Sequence, residues 1–184
     1  MRSKFVFGLL AMMLVLALAP SSFASVPHTT LLVPFAVRDG AFDTGIALAN
    51  TTADPFGAVS TGGAIAASGT ITLTFYPRSA TGGAGTSFSL TTSATAKPGI
   101  GLSDNGSLAA GATWTALLSE LMTAAGQTGS FTGYIFITTN FTNAHGAPFV
   151  SDFRNFTSSI PMLVLPPPIT IVGGRSAAFE SLNN

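Results

Sequence analysis

Residues 129–153 read GSFTGYIFITTNFTNAHGAPFVSDF, and the reading of this stretch decides the fold. Along an extended chain Tyr134 and Phe136 point to one side, Ile135 and Ile137 to the other. Large apolar groups on both faces predict a strand buried on both sides, or nearly so, at the centre of a β-sheet. Asn140–Gly146 then reads as a polar loop. Ala147–Phe153 reads as a returning strand with Phe149, Ser151 and Phe153 on one face.

Upstream the same period of two recurs. In Thr70–Tyr76, Ile71, Leu73 and Phe75 alternate with Thr70, Thr72 and Thr74, which predicts an antiparallel strand with one wet face. Thr86–Thr91, with Phe88 and Leu90 inward, is its hairpin partner across a Gly-rich tip. Thr29–Val37 places Leu31, Val33, Phe35 and Val37 on one side; Pro34 makes it an edge strand or kinks it. Arg38-Asp39-Gly40 signals a turn, and Thr44–Asn50 alternates Ile46 and Leu48 with Gly45, Ala47 and Ala49. Thr51–Ser68 reads as a long loop interrupted by Pro55. Ser93–Ala112 is irregular, with a tight turn at Asp104-Asn105-Gly106.

One helix is expected over Trp114–Ala125. Trp114, Leu117, Leu118 and Leu121 form an apolar stripe, Thr113 stands as N-cap and Gly126 as the stop. This helix would plug one end of a sandwich or cross between its sheets. Downstream of residue 153, Ser159–Leu165 is an apolar extended run. Pro166-Pro167-Pro168 stiffens the chain, Ile169–Val172 reads as a last strand, and residues 173–184 as a flexible tail. Ile160–Val172 either completes its own sheet or adds to a neighbour's edge.

The N-terminus has a secretory layout. Arg2 and Lys4 precede the apolar run Phe5–Ala19, Pro20 ends it, and Ser22-Phe23-Ala24 offers small residues for a peptidase. The run is short of the ~20 residues of a spanning helix. Cleavage after Ala24 would leave 160 of the 184 residues, enough for one domain with its own core. Residues 1–24 are therefore expected to be a signal peptide and residues 25–172 the domain, with no transmembrane anchor after cleavage.

Removing Arg2 and Lys4 from seven basic residues leaves five against seven acidic ones, a net charge near −2. That balance excludes an electrostatic case for nucleic acid or an anionic membrane. Charged residues are 8% of the chain, against ~25% in an ordinary globular protein. A surface of Thr, Ser, Asn and Gly has little charge repulsion and suits self-association. The absence of cysteine removes thiol catalysis and Cys-type zinc sites.

Three segments in order carry a resemblance. They are Phe42–Asn50, then Gly133-Tyr134-Ile135-Phe136 leading to Asn140-Phe141 and Ala144-His145-Gly146, then Phe149-Val150-Ser151-Asp152. The set resembles exported bacterial β-sandwich proteins of unestablished function with "TGIAIAN" and "NFxxAHGxxFxSD" segments. The resemblance covers most of the chain after the leader. It implies an envelope or extracellular setting and brings no catalytic residues.

His145, with Asn140 and Asp152 near it in sequence, is a candidate for acid–base or metal chemistry. The competing reading makes His145 a partner of its loop backbone, since no nucleophile elbow and no second histidine at metal spacing accompanies it. Asp39, Asp43 and Asp104 sit in oxygen-rich turns that calcium favours, but Asp is also a common turn former. Glu120 lacks the second carboxylate of a glycosidase. Trp114 can stack on a sugar or fill a core, and Tyr76 and Tyr134 carry the same alternatives. Sequons stand at Asn50, Asn105, Asn140 and Asn155.

The sequence thus predicts an all-β, antiparallel sandwich, Ig-like or jelly-roll-like, with one short helix. It is expected to be secreted, extracellular or in the cell envelope, non-enzymatic and without a cofactor. Its expected role is that of a structural or interaction module, a filament subunit being one form, that associates with itself or with another surface protein. A carbohydrate- or small-ligand-binding module is the alternative, with His145, Asn140, Asp152 and Trp114 as the residues of interest.

Overall fold

The computed structural model describes residues 28–54, 63–165 and 181–182. The expected leader, Pro55, the proline triplet, the Ile169–Val172 strand and most of the tail lie outside the described residues. Ten strands and one helix make the described fold: β1 (Thr29–Arg38), β2 (Asp43–Asn50), β3 (Ile71–Pro77), β4 (Phe88–Thr91), β5 (Thr113–Leu117), α1 (Leu118–Ala124), β6 (Phe131–Thr139), β7 (Ala144–Ser151), β8 (Thr157–Ser159), β9 (Leu163–Leu165) and β10 (Ser181–Leu182). They form an antiparallel β-sandwich of two sheets, ordered β10-β9-β1-β6-β3-β4 and β5-β2-β7-β8.

The strand from which the reading began, β6, lies between β1 and β3. Its inner face is as expected, with Ile135 and Ile137 buried among Leu31, Val33, Leu73 and Phe75. Its outer face corrects the expectation of burial on both sides. Tyr134 is 41% exposed and Phe136 is half-buried. A two-layer sandwich packs each sheet on one side only, so the outward rings can bury area only against each other.

Pro34 produces the kink rather than the edge. β1 is flanked by both β6 and β9, and its register with β6 shifts between Val33 and Ala36, a bulge around the residue that cannot donate. Thr44 stitches β1 to β2 across the Asp39–Phe42 turn. Its hydroxyl accepts from the Val37 N–H at 2.8 Å and donates to the Val37 carbonyl at 2.9 Å.

The expected helix is shortened and its first residues change class. Thr113–Leu117 is a strand paired with β2, Leu48 opposite Trp114. Trp114 and Ala116 alternate inward between exposed Thr113 and Thr115. The apolar stripe read at helical spacing was therefore divided: Trp114 belongs to period two, Leu118 and Leu121 to the helix. β-branched Thr113 and Thr115 prefer the pleated surface, which tips the ambiguity.

Thr113 is then too far upstream to cap the helix. The Glu120 carboxylate accepts from the Leu117 N–H at 2.8 Å, and Asp43 Oδ2 accepts from the Ser119 N–H at 3.4 Å while its Oδ1 takes the Thr44 N–H at 2.8 Å. Asp43, on β2, thus supplies a negative charge to the helix N-terminus from another sheet position. Asp43→Ala is expected to cost about 1 kcal/mol in urea unfolding. An unchanged midpoint would remove Asp43 from that capping role. Gly126, at φ +70°, stops the helix as expected.

Residues 99–101 close the outer edge of β5. Ile100 exchanges backbone bonds of 2.8 and 2.9 Å with Thr115. Gly99 and Gly101 flank it at φ +75° and +110°, where a Cβ would fall about 2 Å from the Thr115 and Thr113 carbonyls. This close approach uses up backbone groups that an edge strand otherwise offers to another chain.

At the C-terminal side the chain leaves β8, crosses through buried Met162 and pairs β9 with β1. Leu163–Leu165 therefore completes its own sheet. Ser181 and Leu182, in the stretch read as tail, pair with Val164 and Leu163.

Candidate interaction surfaces

The structure separates the residues that proximity in sequence had grouped. His145 and Asp152 stand near opposite ends of β7, about 20 Å apart at the rise of a strand. His145 is exposed opposite Ala49, on the strand rather than in the loop, which ends at Asn143. Asn140 is a fastener: its Oδ1 accepts from the Thr70 N–H at 2.8 Å, and its own N–H donates to the Thr70 carbonyl at 3.3 Å. Trp114 is fully buried, and its indole N–H donates to the Pro98 carbonyl at 2.8 Å. No sugar reaches that ring, so the core alternative holds for Trp114.

Asp152 organises its own loop. Its Oδ1 accepts from the N–H groups of Arg154, Asn155 and Phe156 at 2.8–2.9 Å. These bonds, Phe156's first and then those of Arg154 and Asn155, hold the carboxyl below the ordinary aspartate range. The folded-state value is depressed, so the contribution is full above the unfolded-state pKa and is lost as pH falls through the folded one. Protection of the amides at residues 154–156, taken relative to intrinsic exchange, is expected to fall once pH drops below the ordinary aspartate range in the native protein, and to lose that acid step in Asp152→Asn. An identical acid step in the variant would assign it to another group.

Other acidic residues have structural partners. Asp43 caps α1, and Asp104 pairs with Lys97 at 3.3 Å. Among the described residues no group of three His, Asp or Glu side chains is placed to hold a metal. A shallow groove of about 500 Å³ lies between Thr95–Pro98 and the α1 residues Ser119, Glu120, Thr123 and Ala124. Its one carboxylate, Glu120, already accepts the Leu117 amide. Among the described residues no helix is long and apolar enough to cross a membrane.

What the surface does offer is aromatic. On the outer face of the six-stranded sheet, Tyr76 and Tyr134 stack across β3 and β6, with ring centroids 4.9 Å apart and planes within 6°. Phe136 meets both edge-on, at 5.7 and 5.9 Å. The rings are flanked by hydroxyls, with Thr72 bonded to Thr91 at 2.9 Å and Ser89 to Thr74 at 3.4 Å. On the opposite side of the sheet Phe75 of β3 and Phe131 of β6 are buried in the core, and partly buried Phe88 of β4 packs against both.

A second aromatic surface lies where the β1–β2 turn meets the loop after β7. Phe42 and Phe156 are 41% and 48% exposed and meet edge to face at 5.9 Å. Phe153, in the same loop, is 56% exposed. Sequence reasoning puts Phe153 on one face of a strand with Phe149 and Ser151, whereas β7 ends at Ser151 and Phe153 lies in the loop, and it does not pair Phe42 with Phe156. The Asp-Phe-Arg-Asn-Phe run was the available signal, since an Asp followed by polar residues favours a turn that would turn its phenylalanines outward.

Comparison with protein-family models, with curated proteins and with solved structures finds no match for this chain.

Proposed function

We propose that this protein is an exported, non-enzymatic structural or interaction module of the cell surface or of an extracellular assembly, working by self-association or by contact with another surface protein. The observation that carries this reading is the exposed aromatic surface, in two places, on a chain with only 8% charged residues. Exposed rings on a weakly charged body favour association over repulsion. The dispersal of His145, Asn140 and Asp152 supports a binding rather than a catalytic role. The leader-like first 24 residues and the resemblance to exported β-sandwich proteins support export.

Sedimentation and negative-stain microscopy of the purified protein test it. Oligomers or filaments that grow with concentration are expected. A protein that stays monomeric and binds no surface protein of its host would overturn the reading, as would turnover that disappears in His145→Ala.

The Tyr76–Tyr134 face supports a second reading, a module for neutral carbohydrate, because it is aromatic and hydroxyl-lined. The mutual stacking of the two rings covers one face of each, which leaves less ring surface for a sugar. Glycan binding that vanishes in Tyr134→Ala would place this reading first.

A further inference from the structure

The loop end bearing Phe42, Phe153 and Phe156 is assembled by sheet register. Asp43 pairs with Ser151, so the turn before β2 and the loop after β7 stand side by side. Phe153 is held there at φ +56°, a left-handed backbone that a bulky side chain adopts at a cost. The loop enforces it: Ser151 Oγ accepts the Phe153 N–H at 2.9 Å and donates to the Phe156 carbonyl at 2.7 Å. A ring more than half exposed contributes little to the core, so core packing does not account for the strain.

Two charges border the rings. Asp39 in the turn and Arg154 in the loop are both exposed. Neither has an ion-pair partner among the described residues. Arg38 and Asp152 stand in the same turn and loop but are partly buried and taken up by the Gly129 carbonyl and the loop amides. The exposed charges beside the apolar centre are therefore one of each sign, an arrangement complementary to itself. A twofold rotation that packs the rings together can bring Arg154 of one protomer to the partner's Asp39, and the reverse contact follows by symmetry.

We propose that this patch is a twofold contact between two copies of the chain, an inference that rests on the self-association reading above. Three rings about half exposed offer about 300 Å² per copy, well under the ~800 Å² per partner of a standard stable interface. The contact is therefore weak and concentration-dependent by itself, or one of several in a larger assembly.

Sedimentation velocity over a concentration series tests it on the purified protein and four variants: Phe153→Gly, Asp39→Arg, Arg154→Asp, and the last two combined. Glycine suits the backbone at position 153, and circular dichroism checks that each variant is folded. Each single variant is expected to weaken association about tenfold or more, and the double swap to return it to within about threefold of the parent. A double swap as weak as the single variants would overturn the twofold pairing. Association unchanged in all four variants would place the contact elsewhere and leave the self-association reading standing. A parent that is monomeric throughout would remove the contact and that reading together. Monomeric parent protein that binds phosphatidylcholine vesicles through Phe153 would assign the patch to a lipid surface instead.

Discussion

Trp114→Ala is expected to lower stability by about 3–5 kcal/mol, a large share of the ~5–15 kcal/mol of an ordinary domain. The indole is fully buried where β5 faces the six-stranded sheet, in one core with Leu48, Leu118 and Leu121. Truncation removes the ring and leaves a cavity that the flanking strands cannot close, because β5 is held by five register positions on β2. It also leaves the Pro98 carbonyl without the indole donor at 2.8 Å. Urea unfolding followed by far-UV circular dichroism measures the loss. A change below about 1 kcal/mol would mean that the ring is not a core element. The chain has a single tryptophan, so blue-shifted emission of the parent, moving red on unfolding, reports the same burial independently.

Asn50→Ala is expected to have a comparable effect through a different mechanism. Asn50 ends β2 with its side chain almost wholly buried. Its amide nitrogen donates to the Ala67 carbonyl at 2.7 Å and to the Leu108 carbonyl at 3.1 Å. Its oxygen accepts from the Thr52 N–H at 3.1 Å and the Thr52 hydroxyl at 2.6 Å. One side chain therefore satisfies three chain segments that have little regular structure of their own. Removing it leaves the Thr52 N–H without its acceptor and takes one of two donors from each of the Ala67 and Leu108 carbonyls, which keep the Thr52 hydroxyl and the Gly69 N–H, at a total of about 2–4 kcal/mol. Asn50→Asp keeps the shape and turns two donors into acceptors facing carbonyls. That variant is expected to be as unstable as the alanine one at neutral pH and to recover in part as pH falls. Burial raises the introduced carboxyl's folded-state pKa, so its protonated form is favoured and can donate one bond. Stability of Asn50→Asp that rises with pH would contradict this account. The same geometry sets Asn50 apart from the other sequons: a glycan on its nitrogen would displace the Ala67 and Leu108 bonds, whereas Asn105, Asn140 and Asn155 are exposed.

Much of the strand layout was legible because one physical rule generates it. Ile71, Leu73 and Phe75 alternate with threonines, and only the apolar side can face a second layer. The turn at Asp39-Gly40, the Phe88–Thr91 partner strand and the Gly126 stop were local signals that tertiary packing did not override. The helix start was misread for an equally physical reason. Positions 114, 118 and 121 fit a helical stripe, but positions 114 and 116 also fit a strand, and the two periods overlap over so few residues.

The candidate site was less legible. Sequence neighbours such as His145 and Asp152 are carried apart by the strand between them, while Phe42 and Phe156 are brought together only by the Asp43–Ser151 register. By itself, the sequence determined the class of fold, the side of most strands that faces inward, and the scarcity of charge, because these depend on the period and chemistry of adjacent residues. Which polar side chain fastens which loop, where β5 gives way to α1, and which rings meet at the surface were decided by the tertiary structure alone. Those outcomes follow from pairing between segments far apart in the chain, and a pattern confined to neighbouring residues carries no term for such pairing.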